Sequence, residues 1–434
     1  MLTTLPIRAR PPPLDERNCR RRVHVATRHL HPFRPPRETH TVVVSFKCVD
    51  QLHAIYPLSF RVHPRHVYIH VPFCARRCVY CDFAIAVRRH VPVDDYVDAV
   101  ERELRIRFPE EGDWSVETLY FGGGTPSRLG GEGVARLLEV VQRRITIEPG
   151  AEVTLEANPE DVSLDAARAW RSAGVNRLSL GAQSFDDAVL RWMHRTHDSH
   201  TIARAVEHAR AAGIDDISID LIFALPNEIE RNWEKDVAAA LALEPTHLSL
   251  YGLTTEPATP LGRWRDRGLV TEAREENYER EYLHADEALR SAGFQHYEVS
   301  NFGLPGRRAR HNSMYWRGIP YAGLGPGAHE FDGMTRRWNV EAYTEWGRRL
   351  VKGVDPIDGH ELLDDESREA ERVYLGLRTS DGLRLTGAEL VRTQAWIDAG
   401  WGTITDRDRL ELTPLGWLRL DSLAADLTVV RSRS

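Results

Sequence analysis

From residue 66 onward the chain alternates short runs of β-branched and aromatic residues with longer stretches in which apolar positions recur every three or four residues. The short runs are HVYIHV (66–71), ETLYF (117–121), EVTLEA (152–157), NRLSLGA (176–182), DISIDLI (216–222) and HLSLYGL (247–253). Helical spacing fills the intervals Asp95 to Phe108, Glu132 to Arg144, Asp165 to Ala173, Thr201 to Ala212 and Asn232 to Leu243. Strand–helix units in such succession predict a parallel sheet. The expected class is α/β, a partial (β/α) TIM-type barrel of about six parallel strands over residues 66–270. SAG at 172–174 and AAG at 211–213 read as helix C-caps before the next strand.

Beyond 270 the pattern changes. A charged helical run, Glu272 to Ser291, leads into a segment (271–355) rich in Gly, Pro and aromatic residues, read as a loop-rich extension. The last part, 356–434, mixes helical spacing with the hairpin-like ITDRDRLELTPLG (404–416), the wing of a small winged-helix-like domain in a C-terminal α/β extension. Residues 1–65 are rich in Arg and Pro and hold no period, so a disordered basic extension is expected there. Pro12, Pro13, Pro35 and Pro36 would interrupt an amphipathic transit helix; a dispensable extension, or an overlong assigned start, fits better.

Composition narrows the setting. Of 434 residues, 42% are hydrophobic and 28% charged, as in soluble globular proteins, and no apolar run is long enough for a membrane span, although peripheral membrane contact stays open. The net charge of -7 is uneven: residues 1–66 hold twelve Lys and Arg against four Asp and Glu, a net +8, which leaves -15 for the rest. An acidic body argues against general nucleic-acid binding. Five cysteines do not make a disulfide framework for a chain this long, so a reducing, cytoplasmic location is expected, with Cys19 and Cys48 as bystanders.

The other three cysteines stand together in HVPFCARRCVYCDF (70–83), where Cys74, Cys78 and Cys81 are spaced C-x3-C-x2-C. Three readings compete. Structural zinc needs a fourth ligand, which only a distant His could supply. An iron–sulfur cluster on three cysteines leaves one iron open to a small molecule. Buried, unreactive thiols are the third.

The other polar features fall at the C-terminal ends of successive predicted strands, where such barrels build active sites. Tyr68 lies in the first strand, directly ahead of the cysteine loop. GGGTP (122–126), with Gly123, Gly124 and Thr125, follows the second; Glu156 ends the third; Gln183 follows the fourth; Asp220 lies near the end of the fifth; Tyr251 and Gly252 close the sixth. Taken singly, each has an ordinary reading: a glycine turn, a capping carboxylate, or, for Arg195 in WMHRTHD, a solvated helix residue. Together they suit a zwitterionic ligand with an amine, a carboxylate, ribose hydroxyls and an adenine.

On these residues the chain resembles the radical S-adenosylmethionine superfamily, whose motif is C-x3-C-x2-C with an aromatic, here Tyr80, before the last cysteine. From about residue 66 to the end it is similar to oxygen-independent coproporphyrinogen III oxidases and to HemW-type haem chaperones. The resemblance implies a 4Fe-4S cluster on Cys74, Cys78 and Cys81, with S-adenosylmethionine on its open iron. The cofactor would be lined by Tyr68, the backbone at Tyr80, Gly123, Gly124, Thr125, Glu156, Gln183, Arg195, Asp220 and Gly252, and reduction would release a 5'-deoxyadenosyl radical.

Two features choose between the groups. The oxidases carry a further cysteine two positions after the third, where this chain has Phe83 after Asp82, as the chaperones do. HNSMYW (311–316) matches the H-N-x-x-Y-W stretch associated with haem in the chaperones. His311 is therefore the expected haem contact, with Tyr315 and Trp316 against the porphyrin; without the resemblance it would read as a satisfied loop histidine. The implied function is haem binding and delivery to haem proteins such as respiratory cytochromes. Coproporphyrinogen III decarboxylation and a non-catalytic haem-binding redox sensor are the alternatives, and a homodimer is left open.

Overall fold

The computed structural model describes residues 63–109 and 114–431. The disordered extension expected over 1–65 lies, apart from its last three positions, outside the described residues, as do Cys19 and Cys48.

Each of the six expected strands forms: β1 (His66–Val71), β2 (Trp114–Gly123), β3 (Ile145–Ala157), β4 (Arg177–Gln183), β5 (Asp216–Phe223) and β6 (His247–Gly252). Helices α1 (Val93–Arg107), α2 (Gly130–Gln142), α3 (Leu164–Ala173), α4 (Asp187–Trp192), α5 (Ser199–Ala211) and α6 (Trp233–Ala242) lie between them in sequence. Sequential strands pair in parallel from β1 to β6. Gly174, at φ +119°, caps α3 in the left-handed conformation, and Gly213, at φ +82°, follows the C-cap of α5. Only glycine adopts that region without steric cost, which is why SAG and AAG end their helices.

The strands alternate in a way that separates two environments. Leu178, Leu180, Ile217, Ile219, Leu221, Leu248 and Leu250 belong to the apolar core that includes the helices. The intervening positions are polar and bond to one another across the lumen. Ser179 Oγ donates to Asp220 at 3.0 Å, Ser218 Oγ lies 2.8 Å from His247 Nδ1 and 3.2 Å from Ser249 Oγ, and all of these groups are buried. A buried polar group is tolerated only when paired, and strand neighbours supply the pairs.

The segment expected to be loop-rich does more than connect. After α7 (Glu275–Ser291), strands β7 (Gln295–Glu298) and β8 (Asn301–Gly303) add antiparallel to the β6 edge. Past α8 (Arg310–Trp316), β9 (Ala322–Leu324) pairs in parallel with β1, giving nine strands in the order β9-β1-β2-β3-β4-β5-β6-β8-β7. The strand that leads into the cysteine loop is thus internal. Its partner strand has only three residues, too few to show a period.

A buried charge network holds this addition in place. Glu103 on α1 is fully buried and accepts hydrogen bonds from Gly325 N (2.8 Å), Asn339 Nδ2 (2.6 Å) and Trp346 Nε1 (3.0 Å). One turn on, Arg107 donates to Glu330 Oε2 and Asn339 Oδ1, both at 2.9 Å, and lies 3.4 Å from Asp355.

The C-terminal part contains α9 (Asp365–Arg378), α10 (Gly387–Asp398) and α11 (Leu420–Arg431) around a three-stranded antiparallel sheet. The hairpin expected at ITDRDRLELTPLG is Gly402–Thr405 with Arg409–Leu412. Among the described residues no helix is long and apolar enough to cross a membrane.

Removing one member of a buried charge network leaves its partners desolvated and unpaired. Glu103→Ala is expected to cost about 3–5 kcal/mol in chemical denaturation. Burial pushes the Glu103 carboxyl up from 4.5 to about 7 against the pull of Arg107 and the three donors. Since the folded value lies above the unfolded one, the stability Glu103 contributes is fully present below about pH 4.5 and is lost as pH rises toward 7. Denaturation midpoints measured across that window should fall more in the wild type than in Glu103→Gln.

Candidate functional site at the barrel mouth

The cysteine loop is closed at its base. Phe73 and Cys74 pair in parallel with Ala86 and Val87, and Arg88 N donates to Cys74 O at 2.9 Å. Its middle is tied to the barrel at Val79, whose N–H reaches Met193 O (3.4 Å) and whose carbonyl accepts from Leu261 N (2.9 Å). Cys74 is buried, and Cys78 and Cys81 are half-buried. Thr125 Oγ1 lies 3.5 Å from Cys74 Sγ, and Arg195 Nη1 donates to Cys78 Sγ at 3.4 Å. Burial raises the Cys74 thiol and pushes Cys81 up to about 12, and the neighbouring thiols add to both shifts. Thiols raised in this way, as Cys74 and Cys81 are, become thiolates only against concentrated positive charge, which iron supplies. Among the described residues no three His, Cys, Asp or Glu side chains could hold a single metal ion. A four-iron cluster instead takes each thiolate on its own iron, and this donor set fits it.

The carboxylates and amide expected beside the loop converge on the same end of the barrel. Glu156 accepts from Tyr120 Oη (2.8 Å) and Gly123 N (3.1 Å), and burial, with Asp220 nearby, raises its carboxyl. Asp220 is buried among Ser179 and Ser218, and burial raises it as well. Gln183 is 1% exposed, takes φ +70°, and its Oε1 is buried without a hydrogen-bond partner among the described residues. A non-glycine residue in the left-handed region with an unpaired buried oxygen is strained twice over, a combination typical of ligand sites.

Arg195 differs from its solvated-helix alternative. It sits in the turn between α4 and α5, where Nη2 donates to Asn158 Oδ1 (2.6 Å) and Gly181 O (2.9 Å), and its Nε is buried and unpaired. Burial opposes its charge, but Cys78, Tyr80 and Glu160 outweigh burial and hold the guanidinium protonated. An acceptor on Gln183 and a donor on Arg195 that are unpaired among the described residues, beside the buried Asp220 and half-buried Glu156 carboxyls, match an amino-acid and ribose ligand such as S-adenosylmethionine.

Packing places its own demand on the glycines. Gly124 N is bonded to Val71 O at 2.8 Å and Gly123 N to Glu156, so neither N–H is open to a ligand. A Cβ on Gly123 would meet the His70 ring at 2.6 Å, one on Gly124 would meet the Pro72 carbonyl at 2.6 Å, and one on Gly252 would overlap the Tyr278 hydroxyl. Close packing demands glycine at these positions, and at Gly123 the φ of +113° does so as well. Tyr68 stacks on Tyr120 (6.0 Å between centroids), with its hydroxyl 3.1 Å from His70 Nδ1, and Tyr80 is half-buried beside Cys78.

Sequence reasoning missed Tyr120, Asn158 and Gly181. A Cβ at Gly181 would meet Gln183 Nε2 at 2.9 Å and Arg195 Nη2 at 3.4 Å, so this glycine makes room for both. Tyr120 alternates with Gly122 on the lumen face, a signal the strand period already contained. His197 and Glu160 also brace the site: His197 Nδ1 is 3.2 Å from Glu160 Oε2, and its Nε2 is 3.1 Å from Ala182 O.

His311 is not at the surface. It is 1% exposed, its ring is stacked beneath Tyr120 (5.1 Å), and both ring nitrogens are engaged, Nδ1 with Thr118 Oγ1 and Nε2 with Tyr315 Oη, each at 2.7 Å. The bare N–H groups of Arg310 and His311 at the start of α8 donate to the Glu152 carboxylate at 2.8 and 2.9 Å. Trp316 lies under the Arg378 guanidinium, 4.1 Å from its ring centre. Tyr315 and Trp316 thus pack against protein in this conformation.

Comparison with known proteins agrees with this architecture. The Radical SAM superfamily model matches residues 68–240. The chain is 38% identical over 372 residues to the heme chaperone HemW of Mycobacterium tuberculosis H37Rv, covering 84% of this chain and 95% of that protein. It is 34% identical over 323 residues to HemW of Bacillus subtilis, covering 74% and 84%. The structure of coproporphyrinogen III oxidase (HemN) from Escherichia coli superposes with a TM-score of 0.72 over 86% of this chain and 91% of that one, at 22% identity, a likeness of fold. The chain belongs to the HemW family of radical S-adenosylmethionine proteins, a family that implies a 4Fe-4S cluster and S-adenosylmethionine.

Two outcomes test the site. Cys78→Ala should abolish the iron–sulfur absorbance of anaerobically reconstituted protein; retained iron would sink the assignment. Gln183→Gly should leave thermal stability unchanged or raise it by about 1 kcal/mol, because glycine relieves the left-handed backbone, while S-adenosylmethionine affinity in equilibrium dialysis falls roughly tenfold with the lost hydrogen bond.

Proposed function

We propose that this chain is a cytoplasmic haem chaperone. It binds a 4Fe-4S cluster through Cys74, Cys78 and Cys81, S-adenosylmethionine across Gln183, Arg195, Glu156 and Asp220, and haem through the HNSMYW segment, for delivery to haem proteins such as respiratory cytochromes. The observation that carries the reading is the 38% identity over 95% of a HemW chaperone. Asp82 and Phe83 agree with it, since the oxidases resembled carry a cysteine at the position of Phe83. When bound, the cluster supplies one electron to the sulfonium. The chain's own residues bind and orient: Arg195 and Gln183 offer their unpaired atoms, and Glu156 and Asp220 accept from amine and hydroxyls.

Haem ligation by His311 asks for a specific change. Nε2 has to exchange the Tyr315 hydroxyl for iron, and the ring has to leave its place beneath Tyr120. Burial holds the imidazole at about 3, so it is neutral, the ligating form, at any physiological pH. The closed state therefore guards the ligand rather than presenting it.

Spectral titration with haem is the test. The wild type should give a stable complex whose absorption changes in His311→Ala. In Tyr315→Phe, where Nε2 loses its competitor, haem should bind about tenfold more tightly. Incubation with coproporphyrinogen III should yield no protoporphyrinogen; turnover would replace the chaperone reading with the oxidase.

A further inference from the structure

Two arginines bracket the HNSMYW helix and share one carboxylate. Arg308 stands just before α8 and Arg317 is its C-cap. Arg308 Nη1 donates to Asp381 Oδ1 and Arg317 Nη2 to Asp381 Oδ2, each at 3.1 Å. Exposed pairs such as Arg384–Asp408 and Arg392–Asp426 match one arginine with one acid. Here one carboxylate serves two guanidiniums, so the group keeps a net positive charge. All three side chains are open to water, Arg308 at 37%, Arg317 at 52% and Asp381 at 44%. Burial opposes the Asp381 charge, but Arg317 and Arg308 outweigh burial and hold its carboxyl below the usual value.

The arginines have supports of their own. Arg308 lies 5.3 Å above the Tyr297 ring, whose hydroxyl accepts from Ala309 N at 3.2 Å and is 2.8 Å from His247 Nε2. Arg317 is held by the helix end, where its N–H donates to Met314 O at 3.2 Å. Asp381, by contrast, ends a short strap (378–381) that leaves α9 and crosses to β7, with Val299 N donating to Arg378 O at 3.2 Å and Ser380 N to Tyr297 O at 3.0 Å. Closed, the strap carries a cost. Arg378 covers Trp316, and Trp316 Nε1 and Arg378 Nε are both buried without a hydrogen-bond partner among the described residues. Lifting the strap off α8 would hydrate both.

Two guanidiniums that already hold a half-exposed carboxylate form a carboxylate site with a built-in competitor. Haem carries two carboxylates, its propionates, on one edge of the macrocycle. We propose that Arg308 and Arg317 receive the propionates of haem in exchange for Asp381, and that this exchange frees α8 from the strap. The proposal rests on the haem reading above and adds what admits haem to a segment that is closed over His311. Only ion pairs and hydrogen bonds change hands. A ligand shifts such an equilibrium by its differential affinity for the two states, and here the states differ in which carboxylate the arginines hold.

Spectral titration of the full chain with haem and with iron protoporphyrin dimethyl ester, whose carboxylates are masked, separates the propionates from the rest of the macrocycle. The wild type should bind haem about tenfold more tightly than the ester. Arg308→Gln/Arg317→Gln should bind the two alike, and its binding of the ester shows that the variant is folded. Asp381→Asn should keep the preference for haem and bind both compounds about fivefold more tightly, since neither has to displace the carboxylate. Asp426→Asn, which removes an exposed acid elsewhere in the C-terminal part, should match the wild type. A preference for haem that survives in the double arginine variant would overturn the propionate site, and an Asp381→Asn chain that gains nothing would overturn the exchange. Binding of neither compound by the wild type would overturn the haem reading and the proposal with it. A preference that follows the arginines while His311→Ala leaves the haem spectrum unchanged would support the propionate site and count against His311 as the ligand.

Discussion

The Glu103 carboxylate holds together parts of the chain that are far apart in sequence. It accepts from the backbone at Gly325, the amide of Asn339 and the indole of Trp346, while Arg107 beside it engages Glu330 and Asp355. These bonds fasten the segment after α7 to the first helix of the barrel and so keep β9 alongside β1. Were β1 an edge strand, its unpaired backbone would be open to water just where the cysteine loop begins. The position of three thiols therefore depends on a buried network that ties the first helix to residues more than two hundred positions downstream.

At the mouth, burial raises Glu156, Asp220, Cys74 and Cys81, and Arg195 supplies the cation among them. A site built this way favours charge brought by a ligand over charge held by itself. Gln183 adds backbone strain and an unpaired oxygen to the same end. Tyr120 joins this mouth to the HNSMYW helix, because its ring covers His311 and its hydroxyl bonds Glu156. The two halves of the proposed function share one side chain.

Much of this was legible from residue order. Alternation in DISIDLI and RLSL placed the strands to within a few residues, since period-two burial is a local property of the strand. The cysteine spacing marked a centre but left three readings of it open, and the family resemblance chose the cluster among them. Tyr120 and Gly181 were missed although both sit in strands, because their importance comes from the neighbours they meet, Glu156 and His311 in one case and Gln183 and Arg195 in the other. Gly123, Gly124 and Gly252 were noticed for a ligand, and His70, Pro72 and Tyr278 also require them, through contacts that no local pattern reveals.

The sequence by itself determined the barrel, the order of its strands, the cysteine centre and the acidic body with its basic start, because periodicity, spacing and charge are written along the chain. Tertiary structure alone decided that a three-residue strand closes the β1 edge, that Gln183 is strained and unpaired, and that Arg195 faces Cys78. It also decided that His311 lies sealed in the lumen. Each of these depends on which distant groups come within a few ångströms, and burial and pairing are properties of that neighbourhood rather than of the residue.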